Sequence, residues 1–174
     1  MKKKIVFYSA AFLILLTAGL LIGWSLGILQ IESPEAYYEN KDEGVPIGNV
    51  TLGIFCENAL ASDNLPEEIR DRLPQGGALL AECTMPLYQG DTVFSLLSRA
   101  SRESEISFSF QGTEGSGVYI DGIGPLFEMD CGDLSGWIYT VNGKTVSKSA
   151  DDAILSDNDR IQWVYSCNLG KDIS

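Results

Sequence analysis

Few side chains in this 174-residue chain are able to do chemistry, and one type is missing altogether: there is no histidine. Serine and cysteine nucleophile systems that depend on an imidazole base are thereby excluded, as are the usual imidazole metal ligands. Thr145-Val146-Ser147-Lys148 offers hydroxyls near a lysine. It lies beside an expected hairpin turn, without the helix that would bring the groups together, and reads as a strand edge. Asp157-Asn158-Asp159 lacks the glycine and terminal glutamate of an EF-hand loop and reads as a turn capped by its own side chains, as does Asp151-Asp152. The glycines of 112–117 and 122–124 fall between strands, whereas a phosphate cradle needs them ahead of a helix. With no paired-carboxylate motif either, the expectation is a binding protein and not an enzyme: no catalytic residue, no metal site, no required cofactor.

What remains is thiols and rings. Cys56, Cys83, Cys131 and Cys167 are separated by 27, 48 and 36 residues, with no C-x-x-C pair to suggest zinc. In an exported domain they allow up to two disulfides, in any of three connectivities. The aromatic residues Tyr119, Phe127, Trp137, Tyr139, Trp163 and Tyr165 all lie in the C-terminal half. Alternate members are expected to line the core, Trp163 and Phe127 among them. Trp137 differs, because it follows Gly132-Asp133-Leu134-Ser135-Gly136, a loop poor in packing side chains. A large ring delivered from such a loop suits a platform for a flat ligand.

These groups must be positioned by a domain that follows an anchor. Residues 1–4 carry Lys2, Lys3 and Lys4, and residues 5–29 contain no charge. That run is long enough to cross a hydrocarbon core of about 30 Å. The lysines ahead of it place the N-terminus in the cytoplasm and all that follows outside the cell. No A-x-A cleavage site is evident, and the first cysteine is Cys56, so neither a cleaved signal peptide nor a lipidated cysteine is expected. Of the 12 basic residues three precede the run, leaving nine against 24 acidic ones after it, a net charge of −15. Such a surface repels nucleic acid and anionic lipid and keeps the domain soluble.

Residues 30–48, with Pro34, Gly44, Pro46 and Gly48, read as a stalk. A domain of residues 49–172 follows. Strands are expected over 49–56, 78–87, 106–110, 117–123, 136–141 and 160–166, with a short helical piece over 66–73. The main helix is expected over 92–103, capped by Asp91, with Val93, Phe94, Leu96, Leu97 and Ala100 on one face. Asn142-Gly143 predicts a type I′ turn into a strand over 144–146. The order is that of an α+β domain, a mixed sheet with one main helix on one face, and a β-grasp fold fits it.

Tyr119-Ile120-Asp121-Gly122-Ile123, the run Phe127-Glu128-Met129-Asp130-Cys131 through Ser135-Gly136-Trp137-Ile138-Tyr139-Thr140-Val141-Asn142-Gly143, and Trp163-Val164-Tyr165-Ser166-Cys167-Asn168-Leu169-Gly170 together resemble the bacterial transcobalamin-like C-terminal domain family. The resemblance runs from about Val50 to Asp172. It implies a β-grasp module related to the smaller domain of animal cobalamin carriers, which closes over a corrinoid held by a larger helical domain. Gly136, Trp137 and Tyr139 match the aromatic strand of those carriers, and Asn142 and Tyr119 complete the ligand-binding set that the resemblance suggests. The chain departs from the family in having no cysteine over 146–154, and no helical corrinoid-binding domain is recognised. Two functions are therefore expected as alternatives. One is a membrane-held module that captures a corrinoid or similar cofactor for a membrane transporter component. The other is a surface module that docks another envelope protein or a glycan.

Overall fold

The computed structural model describes residues 44–173. The expected basic tail, the membrane segment 5–29 and most of the stalk lie outside the described residues. Among the described residues no helix is long and apolar enough to cross a membrane.

Alternation dictates the first strand. In β1 (Gly48–Phe55), Val50, Leu52 and Ile54 point inward and are buried, as a period of two requires of a strand with one covered face. It pairs antiparallel with β2 (Ala78–Leu87). On its other side it pairs parallel with the last strand, β8 (Arg160–Ser166). β8 pairs antiparallel with β6 (Gly136–Val141), which turns through Asn142 (φ 54°) and Gly143 (φ 74°) into β7 (Lys144–Thr145). Both turn residues have the positive φ of the expected type I′ turn. The sheet order is β2-β1-β8-β6-β7.

β3 (Phe108–Gly112), β4 (Val118–Ile123) and β5 (Leu126–Phe127) form a separate three-stranded sheet. A single mixed sheet was the expectation. β6 bonds β8 along its whole length and β7 at its far end, so residues 108–127 close on one another instead of extending that ladder. β5 was not foreseen because two residues carry no period.

Two short helices, α1 (Glu57–Leu60) and α2 (Glu67–Arg70), fill the connection from β1 to β2. The long helix α3 (Val93–Ser104) buries Val93, Phe94, Leu96, Leu97 and Ala100 in the same core as the inward residues of β1, β6 and β8. Its cap is Thr92 where Asp91 was expected: Thr92 Oγ1 accepts from the Ser95 amide at 3.1 Å, and Ser95 Oγ accepts from the Thr92 amide at 2.9 Å. This reciprocal box leaves Asp91 free for another task. The next orphan amides, of Val93 and Phe94, donate to the Ala153 and Ala150 carbonyls.

Asp91 instead receives the buried guanidinium of Arg99, eight residues further on, at 2.8 Å, with Ser95 Oγ and the Tyr88 amide as further donors. Arg99 also donates to the Pro86 carbonyl and lies over the Tyr88 ring. Burial pushes the Asp91 carboxyl up, but the bonds from Arg99, the Tyr88 amide and Ser95 outweigh it and hold the group below the usual carboxylate range. Asp151 plays a similar part for the β3–β4 turn. Its carboxylate accepts the amides of Gly115, Gly117 and Val118 at 2.7–3.2 Å. Burial opposes its ionisation, yet these amides and Ser149 bring it down to about 2. The expected self-contained Asx turn is thus a clamp across 33 residues or more.

All four cysteines are free thiols in this structure, where a two-disulfide framework was expected. Cys83 stands opposite Leu52 in the β1–β2 ladder, while Cys56 lies just past Phe55. Four residues of strand separate them, about 13 Å at 3.3 Å each, and a disulfide tolerates no more than about 7 Å between Cα atoms.

Candidate functional site

Between the end of β5 and the start of β6 the chain makes a tight loop built on Ser135, which is buried. The Ser135 hydroxyl donates to the Gly132 carbonyl at 2.8 Å and accepts the Cys131 amide at 3.0 Å, and the Ser135 carbonyl accepts the Met129 amide at 3.0 Å. Tyr165, on β8, donates to the Phe127 carbonyl at 2.7 Å and lies 3.0 Å from Ser135 Oγ. A second turn after β8 is organised in the same way by Ser166, fully buried, whose Oγ accepts the Gly170 amide at 2.6 Å and the Asn168 amide at 3.1 Å. The two turns meet where the Leu169 amide donates to the Leu134 carbonyl at 2.9 Å.

Because polar groups hold both turns from beneath, their apolar side chains are left on the outside. Met129 is 61% exposed, Leu134 49% and Leu169 65%. They wall a cleft of about 300 Å³ floored by Gly136, Ile138 and the edge of Trp137, with Tyr119 and Glu128 at one end. Tyr119 donates to Glu128 Oε2 at 2.7 Å. Burial, then the neighbouring Glu128, push the Tyr119 hydroxyl up to about 12, so it remains a neutral donor at physiological pH. Of the eight large hydrophobic residues exposed among the described residues, five stand at or beside this cleft: Tyr119, Phe127, Met129, Leu134 and Leu169. Concentrated apolar exposure of this kind marks interaction surfaces.

The backbone is strained at the same place. Among the described residues, five non-glycine residues have positive φ. Glu105 ends α3, and Asn142 and Asn158 are of the type that tolerates the left-handed region. The remaining two are Met129 (φ 67°) and Leu169 (φ 48°), bulky residues for which this conformation costs roughly 1–2 kcal/mol each. Both wall the cleft, and strain held at one spot in this manner is typical of binding sites.

Tyr119, Gly136 and Trp137, three of the residues singled out from the sequence, line this cleft, and Tyr119 and Trp137 also border a smaller one of about 170 Å³ together with Tyr139. Trp137 is nonetheless a core residue, 5% exposed, with its indole N–H donating to the Leu126 carbonyl at 2.9 Å and its ring edge-on to Tyr165. Its face is not open to a ligand. Tyr139 is buried too and donates to the Lys148 carbonyl at 2.8 Å. Phe127, expected in the core, is 45% exposed and lies over Gly122, where a Cβ would come within 2.5 Å of its ring. Asn142 is not part of the cleft. It caps the β6–β7 hairpin, donating to Asp159 Oδ1 at 2.7 Å and accepting the Arg160 amide at 2.9 Å. The residues missed from the sequence are Met129, Leu134 and Leu169. A signal for them exists: each is a large apolar residue set among Gly, Asp, Asn and Ser, outside any alternating run.

Residues 90–166 match the family described as Domain of unknown function (DUF4430). No curated protein matches the chain. Among solved structures, haptocorrin in complex with Cbi superimposes with a TM-score of 0.48 at 14% identity over 72% of this chain. This chain spans only 27% of the length of that one. A Ruminococcus gnavus protein provisionally described as metal binding superimposes with a TM-score of 0.41 at 15% identity, covering 68% of this chain and 96% of that one. Among the described residues, no three His, Cys, Asp or Glu side chains converge as a metal site would need.

Proposed function

We propose that this protein is a β-grasp-like binding module, held outside the cell by residues 5–29, that takes the edge of a flat, largely apolar ligand in the cleft between Met129, Leu134 and Leu169. The observation that carries the reading is the coincidence of exposed apolar side chains and left-handed backbone at Met129 and Leu169. A cleft of about 300 Å³ stands at the low end of the range of small-molecule sites, roughly 300–1,000 Å³. A macrocycle as large as a corrinoid would therefore meet it along one side only, leaving its opposite side for a second protein. The resemblance of the Gly136–Asn142 strand and hairpin to cobalamin carriers makes a corrinoid the ligand to try first. Tethering supports the same arrangement, since a weak one-sided site gains from a high local concentration of its transporter partner. Catalysis is no part of the proposal.

The test is a titration of the full chain in detergent with cobalamin and with cobinamide, followed by tryptophan fluorescence and calorimetry. Quenching is expected, because Trp137 forms part of the floor, and it should be lost in Leu134→Ser and Leu169→Ser variants that keep the wild-type Tm. Folded protein that gives neither quenching nor heat at high micromolar ligand would show that the cleft does not take a corrinoid. Recovery of one stoichiometric envelope protein with wild type, abolished by the same two variants, would then assign the cleft to a protein partner.

A further inference from the structure

Cys131 lies in the loop that carries Met129 and Leu134, and Cys167 two residues before Leu169, so each cysteine belongs to one of the two turns that wall the cleft without itself lining it. The two thiols are near neighbours, each influencing the other's ionisation, and Ser62 is a neighbour of both. Cys167 Sγ also lies 3.4 Å from the Asn58 carbonyl. The other two cysteines have no such neighbour: Cys56 is enclosed just past the end of β1, and Cys83 lies on β2 opposite Leu52.

We propose that Cys131 and Cys167 form a disulfide under oxidising conditions, a staple beneath the cleft that ties its two walls together, while Cys56 and Cys83 remain thiols. Closing the bond requires a disulfide oxidant, such as glutathione disulfide. One cysteine thiolate attacks it, releasing one glutathione thiol and leaving a mixed disulfide. The second cysteine then displaces the other glutathione, so two protein thiols are oxidised and one glutathione disulfide is reduced to two thiols. Cys131 is 3% exposed, and burial raises both thiols, that of Cys167 to about 12. Few thiolates are then available in the folded domain, so the exchange runs while the chain is still open, and the finished bond is shielded from reductants. The bond closes a loop of 36 residues and constrains the unfolded chain accordingly. The inference depends neither on the identity of the ligand nor on export, because the oxidant can be supplied in vitro.

The test is to denature and reduce the full chain, refold it in detergent in a glutathione redox buffer, alkylate it in denaturant, and map the peptides by mass spectrometry. The expected product has a 131–167 linked peptide, with alkyl groups on Cys56 and Cys83 and a Tm on the order of 10 °C above that of the same chain refolded in reductant alone. The Cys56→Ser/Cys83→Ser double variant should keep both the linked peptide and the reductant-dependent Tm, which covers the case in which Cys131→Ser or Cys167→Ser variants do not fold. Alkylation of all four cysteines, or a linked peptide involving Cys56 or Cys83, overturns the proposal.

Discussion

The start of α3 and the cleft at the start of β6 are both places where short loops meet regular structure, and they are built in opposite ways. Around α3 the charged groups are inside and matched. Asp91 takes Arg99, Ser95 and the Tyr88 amide, Asp151 takes three loop amides, and the first amides of the helix find Ala150 and Ala153. Around the cleft the polar groups of Ser135 and Ser166 are also matched, but the apolar side chains are outside. A corner whose charged groups pair with one another and lie buried, even with Arg99 Nε and Ser98 Oγ left without a partner, presents little to a binding partner. A strained loop that holds hydrophobic side chains in water presents more.

Substitutions should separate the two regions, beginning with the largest effect. Asp91→Ala leaves the Arg99 guanidinium, 4% exposed, without its carboxylate, and the expected loss is about 3–5 kcal/mol in urea unfolding; a loss below 1 kcal/mol would mean water reaches the pair. Trp137→Ala removes a buried ring that sits beneath the cleft. It should cost about 3–5 kcal/mol, as at any core site, and a near-neutral result would return Trp137 to the role of exposed platform.

Acid should act on the α3 side of the comparison through Asp151 and Asp91, and on the turn after β8 through Asp172, where burial raises the carboxyl but the Ser166 hydroxyl and the Cys167 amide outweigh it and lower the group. The Asp151 carboxyl is brought from its ordinary 3.8 down to about 2, and Asp91 is lowered as well. A lowered folded value means that the stability is fully present above about pH 4 and is lost as pH falls toward 2. Asp151 alone contributes about 2 kcal/mol of this. Unfolding free energy measured from pH 6 to pH 2 should therefore drop, and Asp151→Asn should flatten the drop; an unchanged profile in that variant would locate the acid sensitivity elsewhere.

The smallest effect, and the one of unusual sign, belongs to the cleft. Leu169→Gly relieves a left-handed backbone at φ 48° and removes a side chain that packs little, so stability should be unchanged or rise by up to about 1 kcal/mol. Thermal or urea denaturation reads this directly. A fall of more than 1 kcal/mol would show that Leu169 is packed as a core residue, and the contrast with the α3 corner would fail.

Much of the scaffold was legible because period and punctuation are local. The alternation in Val50, Leu52 and Ile54, the helical spacing from Val93 to Ala100, and Asn142-Gly143 each specify their element without reference to the rest of the chain. The α+β class follows from their order. The short elements α1 and β5 were not legible, since four and two residues are too few to show a period. The candidate site was legible by half. The segment from Tyr119 to Trp137 was found through its rings and glycines, but the residues that do the exposing, Met129, Leu134 and Leu169, looked like ordinary loop residues.

Trp137 and Phe127 show the reason most clearly. Sequence alone determined that both are large, apolar and close to glycine-rich turns, and that the chain has no histidine with which to do imidazole chemistry. Which ring is covered depends on what lies opposite. Trp137 meets Tyr165 and the Leu126 carbonyl and is enclosed, whereas Phe127 meets the bare backbone of Gly122 and keeps its outer face in solvent. The cleft arises likewise from two turns more than 30 residues apart, joined by the hydrogen bond from Leu169 to Leu134. Burial is a property of pairs of surfaces, and only the tertiary structure brings those pairs together.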